Sequence, residues 1–436
     1  MKAIISNRIW IPRASETKEL VDSCTHKIPL SGYEAMLSTR RGGLPYRIIK
    51  TYTRPTSNII SVPSGRTDLI PEGLEIVNKT VSCPLPDFPD FNGKLRESQQ
   101  DAVDFALQHG NILIHARPGW GKTFTACALA AKLKLKTLIV VHTKALMDQW
   151  VKEVSKVLNT TAGKIGDDSF TIGDYITVGI IKSVYKHRVR ISKEFGLIIV
   201  DEVHHLPAEQ FLGFINSSYA KTKIGMSGTL ERVDKTHIVI YDYISTMVFN
   251  APDENVMTPE IHVINLPINF TTEFIGCHAE KVTQLNEDPR YIMAIASICK
   301  AYEEKGHKIL CVMERVSAIS RVAELANGVP YHYSTLKEDK AKAFGIIKSG
   351  EKSTLVGSVK IFSEGISENY LSCLVLGLQT SGPPLEQLIG RVIRENPDKP
   401  TPIIVDLRIQ GSSPAKAAEA RDDYYKRVGY KVTEFN

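Results

Sequence analysis

Short apolar runs separated by longer amphipathic stretches set the rhythm of this chain from about residue 91 onward. Ile112–His115, Thr137–Val141, Ile176–Ile181, Leu197–Val200 and Lys223–Met226 are strand-sized and largely apolar, the pattern of strands buried on both faces of a parallel sheet. Helical patterns such as Lys144–Leu158 lie between them, so this stretch reads as a doubly wound α/β lobe. The alternation restarts near residue 258. Strands are predicted at Ile261–Leu266, Lys308–Met313, Thr354–Gly357, Leu374–Leu378 and Ile403–Val405. Helices are predicted at Tyr291–Glu304, Val316–Ala326, Glu338–Lys348 and Leu385–Arg394. The two stretches share an architecture but no sequence repeat. The tail, Lys416–Lys431, reads as a helix carrying Arg421, Lys426 and Arg427 beside Tyr424 and Tyr425.

Ahead of both lobes the pattern is different. Ile4-Ile5 and Ile9-Trp10 look like strands, and Glu16–Asp22 like a short helix. Tyr46–Thr53 and Ile59–Val62 read as two strands joined by the turn Pro55-Thr56-Ser57-Asn58. The proline-rich Pro84–Pro89 reads as a linker. The division expected is a small α+β domain over 1–90, a first α/β lobe over 91–255 and a second over 256–436.

Composition narrows the class. A chain of 436 residues, 43% hydrophobic and 23% charged, is expected to be soluble and to hold more than one core. No apolar run nears the roughly 20 residues of a membrane helix. Asn7 and Arg8 break the apolar start, so no secretory leader is expected and a cytoplasmic location is. The seven cysteines are scattered without a close pair, which points to reduced thiols and not to a disulfide frame or zinc site. A net charge of +6 permits a nucleic-acid partner without requiring one.

Ala116-Arg117-Pro118-Gly119-Trp120-Gly121-Lys122-Thr123 stands between a predicted strand and a predicted helix, the context of a phosphate-binding loop. Gly119 and Gly121 let backbone N–H groups approach phosphate oxygens. Lys122 supplies a cation for the β- and γ-phosphates, and Thr123 a hydroxyl for Mg²⁺. Asp201-Glu202-Val203-His204-His205 ends an apolar strand, where ligands bind in such sheets. Asp201 is the expected Mg²⁺ holder and Glu202 the general base that polarises water. Taken alone, the two acids read equally well as a solvated strand end. Arg391 and Arg394 lie three apart on a predicted helix and share a face with Gln387. Alone they read as a basic solvated face. Beside a phosphate loop they read as groups for a γ-phosphate, a role worth about 10³–10⁵ in rate.

Together these strings resemble, in order, the motifs of superfamily 2 helicases. Leu95-Arg96-Glu97-Ser98-Gln99 resembles the adenine-reading motif, which implies a base contact for Gln99. Ala116–Thr123 resembles motif I, Asp201–His205 motif II of the DExH members, and Ser227-Gly228-Thr229 motif III. Leu230-Glu231-Arg232-Val233-Asp234 continues as in the XPB-like branch. Ser363-Glu364-Gly365-Ile366 resembles motif V, and Gln387–Arg394 motif VI. The likeness runs from about Leu95 to Asp406. Gly228 stands where motif III usually has alanine, and Ser367 where motif V often has aspartate.

The resemblance implies two tandem RecA-like lobes, with ATP and Mg²⁺ as cofactors. Lys122, Glu202, Gln387, Arg391 and Arg394 would act in hydrolysis. Gln99, Gly119, Gly121, Lys122, Thr123 and Asp201 would hold the nucleotide, with Thr123 and Asp201 on the metal. His204, Ser227, Thr229 and Gly365 would couple hydrolysis to movement. Thr143 and Lys144 (motif Ia), Lys182 (motif Ib) and Ser363 are implied phosphate contacts, which position without reading sequence. A second basic surface comes from composition. Between Ser38 and Arg66 lie Arg40, Arg41, Arg47, Lys50, Arg54 and Arg66, with Tyr46 and Tyr52 interleaved and no acid. A nucleic-acid surface and an ordinary basic surface fit that stretch equally well until the motor motifs favour the first.

The expectation is therefore an ATP-dependent DNA helicase or translocase, monomeric, acting on duplex, forked or branched DNA, with RNA in hybrids as a further partner and no membrane. Resemblance to phage recombination helicases of the UvsW kind implies remodelling of branched DNA in recombination, repair or replication, in a host cytoplasm. An RNA helicase, a restriction-system motor and a non-translocating ATP-dependent clamp or sensor remain the alternatives.

Overall fold

The computed structural model describes the chain except residues 31, 118, 206, 207, 229, 231–237, 255, 333, 334, 336, 360–368 and 436, and except the side chains of 32, 33, 205, 208, 337–341 and 383. It divides into two compact units, Met1–Pro252 and Asp253–Asn436.

The first unit holds two larger sheets. The eight-stranded sheet runs Ser169–Thr171, Gly163–Gly166, Ile176–Ile180, Thr137–Val141, Leu197–Asp201, Thr222–Ser227, Ile112–His115, Val248–Asn250. Every pairing is parallel except that of the first two strands, a hairpin. Its central strands feed two cores at once. Ile112, Ile114, Ile139, Val141, Leu197 and Ile199 join one hydrophobic cluster, and Leu113, Leu138, Val140, Ile198 and Val200 the other. Side chains of period two with both faces covered explain the unbroken apolar runs.

Parallel pairing also gathers the strand ends. Ser227 lies beside His115, Met226 beside Asp201, and Val141 beside Ile180. The segments after those ends therefore emerge along one edge of the sheet.

The five-stranded sheet near the N-terminus runs Thr53–Thr56, Ile59–Pro63, Arg8–Pro12, Lys2–Ile5, Glu75–Asn78. A separate ribbon pairs Thr25–Pro29 with Tyr46–Lys50. The continuous strand expected over Tyr46–Thr53 is thus two strands in two sheets. The turn begins later than expected, because Pro55 lies within the strand Thr53–Thr56 at the edge of its sheet, where a missing N–H is tolerated.

Charged residues hold this domain to the lobe. Asp242, in the helix Ile238–Tyr243, takes His26 Nε2 at 2.6 Å and Arg66 Nη1 at 2.9 Å, and accepts the Thr51 hydroxyl. Arg8 Nη1 donates to Asn216 Oδ1 at 2.7 Å. A Cβ on Gly65 would fall 2.6 Å from the Asp242 carbonyl oxygen, so only glycine allows the backbones this close.

The second unit carries a seven-stranded sheet in the order Val329–Tyr331, Thr354–Ser358, Ile309–Met313, Cys373–Leu376, Ile403–Gln410, Glu260–Asn269, Lys431–Phe435. All its pairings are parallel. One prediction needs correcting here. The tail helix spans Ser412–Val428, beginning and ending earlier than expected; Gly429 ends it at φ +76°, and Lys431–Phe435 then adds a strand beside Glu260–Asn269. Arg421 on this helix is wholly buried and ion-paired to Asp406 at 2.9 Å. No helix among the described residues is long and apolar enough to cross a membrane.

Candidate active site and nucleic-acid contacts

The phosphate-type loop leaves Ile112–His115 with the Ala116 N–H donating to the Ser227 carbonyl at 2.9 Å. Gly119 and Gly121 sit at φ +97° and +98°, where side chains are disfavoured. Successive left-handed turns before a helix aim backbone N–H groups at one point. The helix Lys122–Leu133 begins at once, adding its N-terminal dipole. Lys122 Nζ donates to the Ala116 carbonyl at 2.9 Å and stands 3.2 Å from Glu202 Oε1.

A brace behind the loop escapes a motif-by-motif reading. The buried Trp120 donates its indole N–H to Ser98 Oγ at 3.2 Å, and its carbonyl accepts from Gln99 Nε2 at 2.9 Å and from Arg96. Gln99 Oε1 in turn accepts the Arg96 N–H at 3.0 Å. A Cβ on Gly121 would lie 2.5 Å from Gln99 Nε2. Gln99 is thus placed against the loop backbone, with its amide engaged there.

The two acids at the end of Leu197–Asp201 have different surroundings. Asp201 is buried; it accepts the indole N–H of Trp150 at 2.7 Å and the N–H of Glu202 at 3.0 Å. Burial, then the neighbouring Glu202 carboxylate, raise its pKa above the ordinary carboxylate value. Glu202 sits at φ +46°, a strained conformation for a residue with a side chain, costing of order 1–3 kcal/mol. That twist turns its carboxylate to Lys122 on one side and to the Gly228 N–H, at 3.3 Å, on the other. Burial opposes its charge, but Lys122 and then His204 outweigh that and lower its pKa.

His204 links the acids to the next strand. Its Nδ1 lies 2.5 Å from Ser227 Oγ and 3.5 Å from Glu202 Oε2, and both His204 and Ser227 are buried. The structure therefore brings Gly119, Gly121, Lys122, Asp201, Glu202, His204 and Ser227 to one sheet edge, where Thr123 opens the helix with Lys122. This donor set suits a Mg²⁺-bound triphosphate: a glycine cradle, a helix start, one ammonium, a hydroxyl and a buried carboxylate.

The other expected residues are dispersed. Thr143 caps the helix Lys144–Leu158, its hydroxyl accepting the Leu146 N–H at 3.3 Å, and the exposed Lys144 pairs with Asp167. Lys182 is exposed on Ile181–Lys186. Arg40, Arg41, Arg47 and Lys50 are exposed on or beside the ribbon. Arg54 pairs with Glu16 and lies 5.0 Å over the Tyr52 ring. Arg66, expected on that basic surface, is buried between Asp68 and Asp242. In the second unit Gln387 and Arg391 lie on the helix Pro383–Val392, but Arg394 lies beyond its end, bridged through its backbone to Val256. The shared helix face expected for both arginines is therefore not formed. The following Asn396-Pro397 disfavours further helix. Thr229, Ser363, Gly365 and the segment Glu231–Asp234 lie outside the described residues.

Comparison with known proteins finds relatives described as helicases and translocases. A family model described as the res subunit of type III restriction enzymes matches residues 92–232. An Escherichia phage T5 protein described as a probable helicase is 33% identical, over 99% of this chain and 96% of its own length. A putative ATP-dependent RNA helicase of Acanthamoeba polyphaga mimivirus is 26% identical over 79% of this chain and 70% of its own. The Sulfurisphaera tokodaii DNA 3'-5' translocase XPB2 is 24% identical over 79% of this chain and 88% of its own. Among solved structures, S. cerevisiae Dbp5 bound to RNA and ADP BeF3 matches with TM-score 0.55 at 14% identity, over 78% of this chain and 90% of that one. That likeness supports two RecA-like lobes.

Proposed function

The chain belongs to the superfamily 2 helicases, and from that membership we propose that it is an ATP-dependent DNA translocase that remodels branched DNA, by branch migration or by processing forks, D-loops or R-loops. The observation that carries the motor reading is the chain of contacts Lys122–Glu202–His204–Ser227, which ties the phosphate loop to the acid motif and on to the first residue of motif III. A change of partner at Lys122 is felt by Glu202, whose carboxylate also holds the Gly228 N–H. ATP with Mg²⁺ supplies the phosphoryl group whose transfer to water powers the motor. Lys122 is assigned to the β- and γ-phosphates, Thr123 and Asp201 to the metal, Glu202 to orienting water, and Gln99 to the base. Gln387, Arg391 and Arg394 are assigned to the γ-phosphate on motif resemblance.

The DNA reading is supported by the relative named as a DNA translocase and by the basic N-terminal ribbon. Arg40, Arg41, Arg47 and Lys50 are exposed in a stretch with no acid from Ser38 to Arg66, and the domain carrying them is fastened to the ATP-binding lobe through Asp242. Thr143, Lys144, Lys182, Ser363 and Gly365 are proposed backbone contacts within the lobes. The relative named as an RNA helicase favours a second reading, an RNA motor. One experiment separates them: ATPase stimulation and strand displacement compared on four-way junctions, forked duplex, linear duplex and RNA. Junctions and forks should stimulate most, and stimulation by RNA alone would overturn the DNA reading.

A further inference from the structure

A cavity of about 460 Å³ lies between the N-terminal sheet and the first lobe. It sits at the opposite strand ends from the phosphate loop. Asn111 and Lys221 precede the strands Ile112–His115 and Thr222–Ser227, Lys223 lies near the start of the second, and Ser245–Met247 precede Val248–Asn250. None of Lys122, Asp201 and Glu202 lines it.

Its most unusual member is Lys223, which is 1% exposed. Nζ donates to Ser64 Oγ and to the Ala220 carbonyl, each at 3.1 Å. Both partners are neutral, and an ammonium carries three donors. Among the described residues no carboxylate is recorded within ion-pair distance of it. Buried charges are ordinarily paired, because desolvation alone disfavours them strongly. Burial accordingly pushes the Lys223 pKa down to about 8.

The rest of the wall is rich in donors. Asn111 Oδ1 accepts the Lys223 backbone N–H at 2.8 Å. Asn78 Oδ1 accepts from the Thr80 N–H at 2.9 Å and hydroxyl at 2.7 Å. Both carboxamides thus use their oxygens internally and keep their NH₂ groups as donors. Lys221 adds an exposed second ammonium. The lining carboxylate, Asp68, is already ion-paired to Arg66 at 2.9 Å. Such a wall suits an anion with several acceptor oxygens, and the volume lies within the roughly 300–1,000 Å³ of small-molecule sites.

We propose that this cavity binds a phosphate-bearing small molecule of up to mononucleotide size, with Lys223 as its buried counter-cation. The site is separate from the hydrolytic one and offers a place for a metabolite or nucleotide to act on the motor.

The test is calorimetric titration of the full chain with inorganic phosphate, ribose 5-phosphate and AMP. At least one should bind saturably at one site, keep its affinity in Lys122→Ala, and lose about tenfold or more in Lys223→Met and in Thr246→Glu, which sets an anion at the exposed rim. Lys223→Met should melt no lower than the parent, since it removes an unpaired buried charge. Absence of saturable binding would overturn the proposal. So would binding lost in Lys122→Ala and kept in Lys223→Met, or displacement of bound ribose 5-phosphate by duplex DNA. A lower melting temperature for Lys223→Met together with unchanged binding in Thr246→Glu would make Lys223 a structural residue and would equally overturn it.

Discussion

The indole N–H of Trp150 donates to Oδ2 of Asp201 at 2.7 Å, and both residues are buried. The bond ties the helix after motif Ia to the acid assigned to Mg²⁺. Among the described residues its other N–H donor is Glu202. Trp150→Phe keeps most of the ring volume and removes the bond. Partners that orient a metal-holding carboxylate are typically worth about 10–100-fold in metal affinity. The Mg²⁺ concentration for half-maximal ATPase should therefore rise by on the order of tenfold, and the melting temperature should fall as the smaller ring leaves a void in the core. An unchanged Mg²⁺ titration would make Trp150 a packing residue only.

Glu202→Gln should separate binding from chemistry. The amide retains the size of the side chain, but the charge that faces Lys122, and to which the polarising of water is assigned, is gone. Nucleic-acid-stimulated ATPase should fall by about 10²–10⁴, the usual worth of a positioned general base, while nucleotide still binds. Lys122→Ala should lose both. Normal hydrolysis by either variant, measured under single-turnover conditions, would refute the assignment.

The residues that were legible in the sequence share a physical property: their chemistry is local. The glycines, Lys122 and Thr123 form one loop, and strands with both faces buried announce themselves as apolar runs. What could not be read depends on contacts between distant segments. In the chain Trp150 is one apolar residue of a helix whose buried face also holds Met147 and Val154. Trp120, Ser98 and Arg96 form their brace only once the helix Glu97–His109 lies behind the loop. Charge proved the least readable feature. Arg66, Lys223 and Arg421 appear as ordinary basic residues in the chain, yet each is buried. Arg394 was misplaced because three-residue spacing implies a shared face only while a helix continues, and this one stops at Val392.

Asp242 should govern how firmly the N-terminal domain is held. Its carboxylate gathers His26, Thr51 and Arg66 from that domain. Burial opposes its charge, but hydrogen bonds from His26 and Thr51, with Arg66 contributing, hold its pKa below the ordinary value. A carboxyl whose folded pKa is depressed adds stability that is present above its unfolded pKa, near 4, and is lost as pH falls through the folded value. The domain should accordingly loosen in acid, below about pH 4. Asp242→Asn should bring that loosening to neutral pH at a cost of roughly 2–4 kcal/mol, since it removes the charge that Arg66 shares with Asp68 and weakens the acceptor of His26 and Thr51. Limited proteolysis between residues 1 and 90, followed against pH, reads both effects. Equal protection of the parent and variant at pH 7 would show that the network contributes nothing.

Asp406 should be the most sensitive single position in the second unit. Its side chain and that of Arg421 are fully buried and ion-paired at 2.9 Å, and Arg408 adds a second contact at 3.0 Å. Arg421 also donates to the Thr380 carbonyl at 3.2 Å and to Gln379 Oε1 at 3.3 Å, so it fastens the helix Ser412–Val428 to the sheet. Removing one partner of a buried pair leaves the other charge uncompensated, which costs about 3–5 kcal/mol. Asp406→Ala should lower the melting temperature of this unit by roughly 10 °C. Salt should change that loss little, because ions screen buried pairs weakly. Replacing both partners, Asp406→Leu with Arg421→Met, should recover much of the loss, since apolar replacement of a buried pair is often neutral or better. A double variant no more stable than Asp406→Ala would mean that the remaining bonds of Arg421, and not its charge pairing, hold the helix in place.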